Sequence, residues 1–94
     1  MANRSKQKGD RFEREIVHQA EALGLKAYRH FLSRSPLNDA VDIVVAGRQV
    51  QCKKEAKGFK RIYQWLEGVD AVVVGSDNKP SLTIIKTDDW LKLL

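Results

Sequence analysis

The chain has 94 residues, a length that allows one compact domain with a thin core. Its composition, 43% hydrophobic and 31% charged, is that of a globular protein, and it contains neither an apolar run of the roughly 20 residues that a membrane helix needs nor a signal-peptide pattern. The single cysteine, Cys52, excludes an internal disulfide framework and a cysteine-rich zinc site, and it favours a reducing, cytoplasmic setting.

The net charge of +5 is unevenly distributed along the chain. Residues 1–61 hold 14 Lys and Arg against 7 Asp and Glu, whereas residues 62–94 hold 3 against 5. A basic surface of this kind favours a polyanionic partner, nucleic acid first, although an ordinary solvated surface is the alternative.

The predicted elements begin with a flexible basic arm over residues 1–8 and a helix over 10–23. Asp10 is placed to cap that helix, and Gly24 to end it. The apolar residues of the helix fall on one arc, which consists of Phe12, Ile16, Val17, Ala20 and Leu23.

After this helix, hydrophobic patterning predicts five strands and two further helices. They are strands at 25–32, 40–46 and 49–54, a helix at 58–67, strands at 69–75 and 81–86, and a final helix capped by Thr87. The order α-β-β-β-α-β-β-α predicts a single α/β domain over residues 1–94, a sandwich with a central mixed sheet flanked by helices.

Two acidic residues stand where apolar ones are expected. Glu13 lies within the apolar arc of the first helix, and Asp42 interrupts an apolar strand. A buried carboxylate needs a partner, a metal or solvent. The structural alternatives are a capping box for Glu13, three residues after Asp10, and a salt bridge for Asp42.

A two-residue hairpin turn at Gly47-Arg48 would place Asp42 opposite Lys53 and Val44 opposite Gln51. Side chains alternate between the faces of a strand, so Asp42, Gln51 and Lys53 would share one polar patch. The other face would be apolar and would accept a helix. Hard oxygen donors in such a patch suit Mg²⁺ or Mn²⁺, and an adjacent lysine can orient a water for phosphodiester hydrolysis.

These residues resemble the PD-(D/E)XK nuclease superfamily, and within it the archaeal-type Holliday junction resolvases and small resolvase-like proteins of phages and prophages. The likeness covers about residues 8–94. The motifs that carry it are the helix start at 8–15, the strand Val41-Asp42-Ile43-Val44, the signature Gln51-Cys52-Lys53 and the stretch at 63–68. The resemblance implies a restriction-endonuclease-like fold and a homodimer that cleaves branched DNA to leave a 5′-phosphate.

The resemblance also implies a role for each motif residue. Glu13 would be the helix carboxylate near the metal, and Asp42 the central metal ligand. Gln51 takes the place of the signature acid, the backbone carbonyl of Cys52 would be a further metal ligand, and Lys53 would position the attacking water. Mg²⁺, or Mn²⁺, would be the cofactor.

Three further residues are additional candidates. A serine before the aspartate is used in the resolvases, and either Ser33 or Ser35 can stand there. Because Gln51 brings no negative charge, Glu55 is a candidate for compensating the missing charge.

The presence of Gln51 in place of the signature acid also raises an alternative function, a DNA-binding module of the same fold without catalysis. A third possibility is a small protein-interaction domain such as a nuclease inhibitor.

Basic side chains near both helices are expected to follow a DNA backbone without reading sequence. These predicted DNA contacts are Lys6, Lys8, Arg11, Arg29, Arg34, Lys54, Lys57, Lys60 and Arg61. Trp65 lies just outside the apolar arc of the second helix, where it either extends the core or forms a dimer contact. The sequence therefore predicts a metal-dependent, structure-selective DNA endonuclease that does not act at a membrane.

Overall fold

A computed structural model of the chain describes residues 4–30 and 40–94, with the backbone alone over 4–7. Its helices are α1 (Arg4–Ala22), α2 (Lys60–Leu66) and α3 (Thr87–Lys92), and its strands are β1 (Ala27–Arg29), β2 (Ile43–Val45), β3 (Arg48–Val50), β4 (Ala71–Val74) and β5 (Leu82–Ile85). The described elements follow the predicted order, and the mixed α/β class is confirmed. None of the helices in these ranges has the length and apolar character of a bilayer-spanning segment.

The expectation of one central mixed sheet is wrong for the strands in the described ranges. They form a three-stranded sheet of order β1-β2-β3 and a separate two-stranded sheet of β4 and β5, and every pairing is antiparallel. For two of the three pairings the reason lies in the connections: β2 and β3, like β4 and β5, are joined by short turns, which permit only antiparallel pairing. The restriction-endonuclease-like sandwich remains a prediction.

Helix α1 begins at Arg4, six residues before its predicted start, and so takes in most of the expected basic arm. The Arg, Lys and Gln residues at its start are good helix formers, which explains the extension. Since Asp10 and Glu13 now lie inside the helix, they do not form a capping box.

The C-terminal end of α1 is the one predicted. Gly24 has a φ of 82°, its amide donates to the carbonyl of Glu21, and the amide of Leu25 donates to that of Ala20. This pair of hydrogen bonds is a Schellman motif, in which the left-handed residue is commonly glycine.

The hairpin between β2 and β3 differs from its prediction by two residues in register. Its turn residues are Ala46 and Gly47, with φ values of 49° and 81°, rather than Gly47 and Arg48. Positive φ at both positions is typical of a type I′ turn. Val44 consequently pairs with Gln49, not with Gln51. A shift of two keeps each side chain on its predicted face but moves Lys53 two positions away from Asp42.

The chain forms two compact units, residues 1–54 with Leu94 and residues 55–93. In the first unit, α1 packs on β1 and β2. The buried apolar residues of this unit are Val17, Ala20, Val41, Ile43, Val44 and Val45. Ile43 and Val45 are completely buried, so β2 is the centre of this core.

The second unit contains α2, α3 and the β4–β5 hairpin, and Leu66 and Leu91 are its buried apolar residues. Helix α3 begins one residue earlier than predicted, with Lys86 instead of Thr87 at the N-cap position. Trp65 is 48% exposed.

Candidate functional site

Arg29, on β1, joins the sheet to α1 through two ion pairs. Its Nε lies 3.1 Å from Oε1 of Glu13, and its Nη2 lies 3.0 Å from Oδ1 of Asp10. The two acids are three residues apart on α1 and therefore lie on the same face of the helix. Arg29 is paired across the sheet with Ile43, so α1 covers the face of the sheet to which Ile43 belongs.

Asp42 lies immediately before β2, where the strand pairing is irregular. Its amide donates to the carbonyl of Val50 at 2.9 Å, although Val50 is also the pairing partner of Ile43. Two residues of one strand thus face a single residue of the other, which is the arrangement of a β-bulge. Because a bulge re-aims a side chain, the alternation of the strand does not by itself fix the direction of the Asp42 carboxylate.

The carboxylate of Asp42 accepts a hydrogen bond from the backbone N–H of Cys52, with 2.6 Å between Oδ2 and N. Its backbone carbonyl accepts a second hydrogen bond, from the N–H of His30 at 2.9 Å. Asp42 therefore links the end of β1, the start of β2 and the segment that follows β3. The salt bridge considered as its structural alternative is absent among the described residues, where a backbone amide is its partner instead.

Glu13 and Asp42 lie close enough for their charges to interact. Burial raises the pKa of Glu13 above its ordinary value; the hydrogen bond from Arg29 opposes this rise, and the negative charge of Asp42 adds to it. The side chain of Glu13 is only 17% exposed. Burial, together with the charges of Asp42 and Glu13, also raises the pKa of the Cys52 thiol to about 11. The two acids and Cys52 thus share one electrostatic environment.

Gln51 and Lys53 come directly after β3 and are exposed. In the described part of the chain, no hydrogen bond or ion pair joins either side chain to Glu13 or Asp42. The structure therefore brings together the two predicted carboxylates but leaves the amide and the lysine of the signature facing solvent. Of these four residues, only Glu13 lies on its predicted element; Asp42 precedes β2, Gln51 and Lys53 follow β3, and the register of the hairpin differs from the prediction.

The donor set of this site is small. Within residues 4–30 and 40–94, no three His, Cys, Asp or Glu side chains are grouped so as to hold a metal ion. Mg²⁺, however, commonly binds through one or two carboxylates, keeps several waters and takes further oxygens from a substrate phosphate. The carboxylates of Glu13 and Asp42 fit that mode of binding.

The predicted phosphate contacts divide into four groups. Six are exposed: Lys8, Arg11, Lys54, Lys57, Lys60 and Arg61. Arg29 is instead engaged by two carboxylates, and Lys6 lies where only the backbone of α1 is described. Ser33, Arg34 and Ser35 lie outside the described residues. Glu55 belongs to the second unit, where its carboxylate lies against Gly58.

Two neighbours of the site were not identified from the sequence as part of it. Asp10, expected as a cap, shares Arg29 with Glu13. Phe12, expected only as an apolar contact, lies beneath the Lys54 ammonium, 5.0 Å from Nζ to the ring centroid. The i, i+3 spacing of Asp10 and Glu13 is a signal for a shared cation, but the sequence does not say which one.

No protein-family model, curated protein or solved structure matches the chain. The resemblance to nucleases therefore depends on the motif residues themselves.

Proposed function

We propose that this chain is a metal-dependent endonuclease of the PD-(D/E)XK type that acts on branched DNA as a homodimer. The observation that carries the proposal is the proximity of Glu13 and Asp42. Arg29 binds Glu13 and pairs across the sheet with Ile43, the residue after Asp42, so the two acids meet although they are almost 30 residues apart in sequence. Folding brings two acids together at a cost in repulsion and desolvation, which is the arrangement expected where a cation and a phosphate are to bind.

Each residue of the proposed site has a separate role. Asp42 and Glu13 would hold Mg²⁺, with the substrate phosphate completing its ligands. The bound ion would lower the pKa of a water and stabilise negative charge on the phosphate. Lys53 would orient the attacking water, and its exposure is compatible with a substrate approaching from solvent.

The charge of the first unit supports DNA as the substrate. Residues 1–54 contain 11 Lys and Arg against 6 Asp and Glu, whereas residues 55–93 contain six of each. The whole net charge of +5 thus belongs to the unit that holds Glu13 and Asp42. Exposed cations near a carboxylate pair can hold a phosphate backbone that the acids alone would repel.

A second candidate function is DNA binding without cleavage. It is favoured by two observations: Arg29 already neutralises Glu13, and Gln51 supplies no charge. A site with so little net negative charge would bind a divalent cation weakly.

Cleavage of labelled DNA separates the two candidates. A four-way junction and a matched linear duplex are incubated with Mg²⁺, Mn²⁺ or EDTA, with the wild type and Asp42→Asn. The asparagine preserves an oxygen that can accept from Cys52 but removes the charge. Metal-dependent, symmetric nicking of the junction that Asp42→Asn abolishes is the expected result.

Cleavage of both substrates would retain the nuclease and remove the junction preference. Binding of the junction without cleavage under either metal would favour the second candidate. Failure to bind either DNA would contradict both, and a protein-interaction domain would then be the better hypothesis.

A further inference from the structure

The segment 51–54, after β3, has no regular secondary structure, yet two contacts hold it to the rest of the first unit. At Cys52, the backbone N–H donates to the carboxylate of Asp42. At Lys54, the ammonium lies 5.0 Å from the centroid of the Phe12 ring, within the range of a cation–π interaction. Phe12 directly precedes Glu13 on α1. The segment is therefore attached at one point to each of the two elements that supply the proposed carboxylates.

Exposure along the segment is not uniform. Cys52 is half-buried, whereas Gln51, Lys53 and Lys54 are exposed. The two contacts hold the backbone at residue 52 and the ammonium at residue 54, so they lie on either side of Lys53 in the sequence. They therefore restrict the position of Lys53 while its side chain remains exposed to solvent.

We infer that Lys54 is a positioning residue rather than a phosphate contact. Its cation–π contact with Phe12 holds the segment that carries Lys53 in place beside the Glu13–Asp42 pair, an inference that rests on the proposed nuclease function. Lys54 as a whole is exposed, but an ammonium over the Phe12 ring is held close to α1, whereas a phosphate contact requires it to extend toward the DNA. The two roles therefore predict different consequences when Lys54 is changed.

Four variants test the contact from both sides. Lys54→Met removes the charge and keeps the aliphatic stem, and Lys54→Arg keeps a cation that can stack on the ring. Phe12→Leu removes the π face, and Phe12→Tyr keeps it. Lys8→Met, which alters an exposed basic residue of the same unit and of the predicted DNA contacts, is the control for a phosphate contact.

Cleavage at saturating DNA and the salt dependence of binding are measured for each variant. We expect Lys54→Met and Phe12→Leu each to lower kcat by about two- to fivefold, the change that corresponds to an exposed cation–π contact. The double variant should be no slower than either single one, since both remove the same interaction. Lys54→Arg and Phe12→Tyr, which keep the contact, should each cleave DNA with the wild-type kcat.

The slope of the logarithm of the DNA-binding constant against the logarithm of the salt concentration distinguishes a positioning residue from a phosphate contact. Loss of one phosphate contact reduces the magnitude of this slope by about 0.7 to 0.9, which is the result expected for Lys8→Met. Lys54→Met should leave the slope unchanged. A reduced slope for Lys54→Met, with normal kcat for Phe12→Leu, would overturn the inference and make Lys54 a phosphate contact.

Alkylation of Cys52 gives a readout that does not depend on DNA. Phe12→Leu retains every charge near the thiol, so a faster reaction would report release of the segment. We expect an increase of about two- to fivefold for Phe12→Leu and none for Phe12→Tyr. An unchanged rate for Phe12→Leu would refute the anchoring itself. If Phe12→Leu speeds alkylation of Cys52 but the wild type cleaves no DNA, the nuclease function is refuted and the anchor is a structural contact only.

Discussion

Glu13 is subject to opposing influences that determine how its charge affects folding. Burial and the negative charge of Asp42 favour its protonated form, whereas Arg29 favours the carboxylate. The net effect is a raised pKa, so burial outweighs the ion pair. A carboxyl group whose pKa is higher in the folded state than in the unfolded state stabilises the fold only where it is protonated. This stabilisation is complete below the ordinary glutamate pKa and is lost as the pH rises through the higher value in the folded chain.

The free energy of unfolding of the Glu13→Gln variant, relative to that of the wild type, should therefore increase as the pH rises from 4 to 7. The expected gain in the free energy of unfolding is below about 1 kcal/mol, because the group retains some solvent screening. Urea denaturation at both pH values measures it. Glu15→Gln, an exposed residue of the same helix, gives the general effect of removing a carboxylate from α1. A gain that shrinks with rising pH would mean that the Arg29 ion pair outweighs burial.

Cys52 should behave as a poorly reactive thiol. With its pKa raised to about 11, its thiolate is scarce at neutral pH, and alkylation should be slower than that of a free cysteine at every pH below that value. Asp42→Asn removes one of the charges that raise the pKa and should shift the pH–rate profile to lower pH. The rate of iodoacetamide modification as a function of pH tests both statements. A wild-type inflection near the ordinary thiol pKa would contradict them.

At the scale of the helix, two glycines of α1 and its cap have opposite requirements. Gly9 lies inside the helix, and a methyl group there would meet nothing within 4 Å. Gly24 has a φ of 82°, a conformation that is unfavourable for any residue with a Cβ atom.

The same substitution should thus have opposite effects at these two positions. Gly24→Ala should lower the free energy of unfolding by about 1 kcal/mol, whereas Gly9→Ala should raise it by about 0.5 to 1 kcal/mol. Urea denaturation of both variants measures the difference. Stabilisation by Gly24→Ala would show that the Schellman motif does not form, and destabilisation by Gly9→Ala would show that the helix does not extend through that residue.

The turn of the β2–β3 hairpin determines which residues of the candidate site lie opposite one another. Sequence reasoning took Gly47 as the first turn residue, but the turn uses Ala46 and Gly47, both with positive φ. An alanine in the left-handed region is disfavoured by its own sterics, so local propensity gives no reason to expect it. The turn places Val45 opposite Arg48 and completely buries Ile43 and Val45. Burial of β2 outweighs the local strain at one alanine.

At the scale of the whole molecule, the net positive charge belongs entirely to the first compact unit. We expect the affinity of the chain for DNA to fall more than about tenfold between 50 and 200 mM salt, since each neutralised phosphate releases counterions. Fluorescence anisotropy with a labelled junction measures this dependence. Affinity that is insensitive to salt would contradict a phosphate-binding surface, and tight binding of a protein partner instead of DNA would favour the inhibitor hypothesis.

The sequence alone determined the order of elements, the Gly24 helix end and the two acids that interrupt apolar patterns, because periodicity, backbone conformation and the cost of burying charge are local properties. Only the tertiary structure decided which groups meet: Arg29 with Asp10 and Glu13, Asp42 with the Cys52 amide, and Lys54 with Phe12. These contacts join residues that are distant in sequence. They depend on the register of β2 and β3 and on the bulge beside Asp42, and the turn that fixes this register is stabilised by the burial of β2 rather than by local propensity.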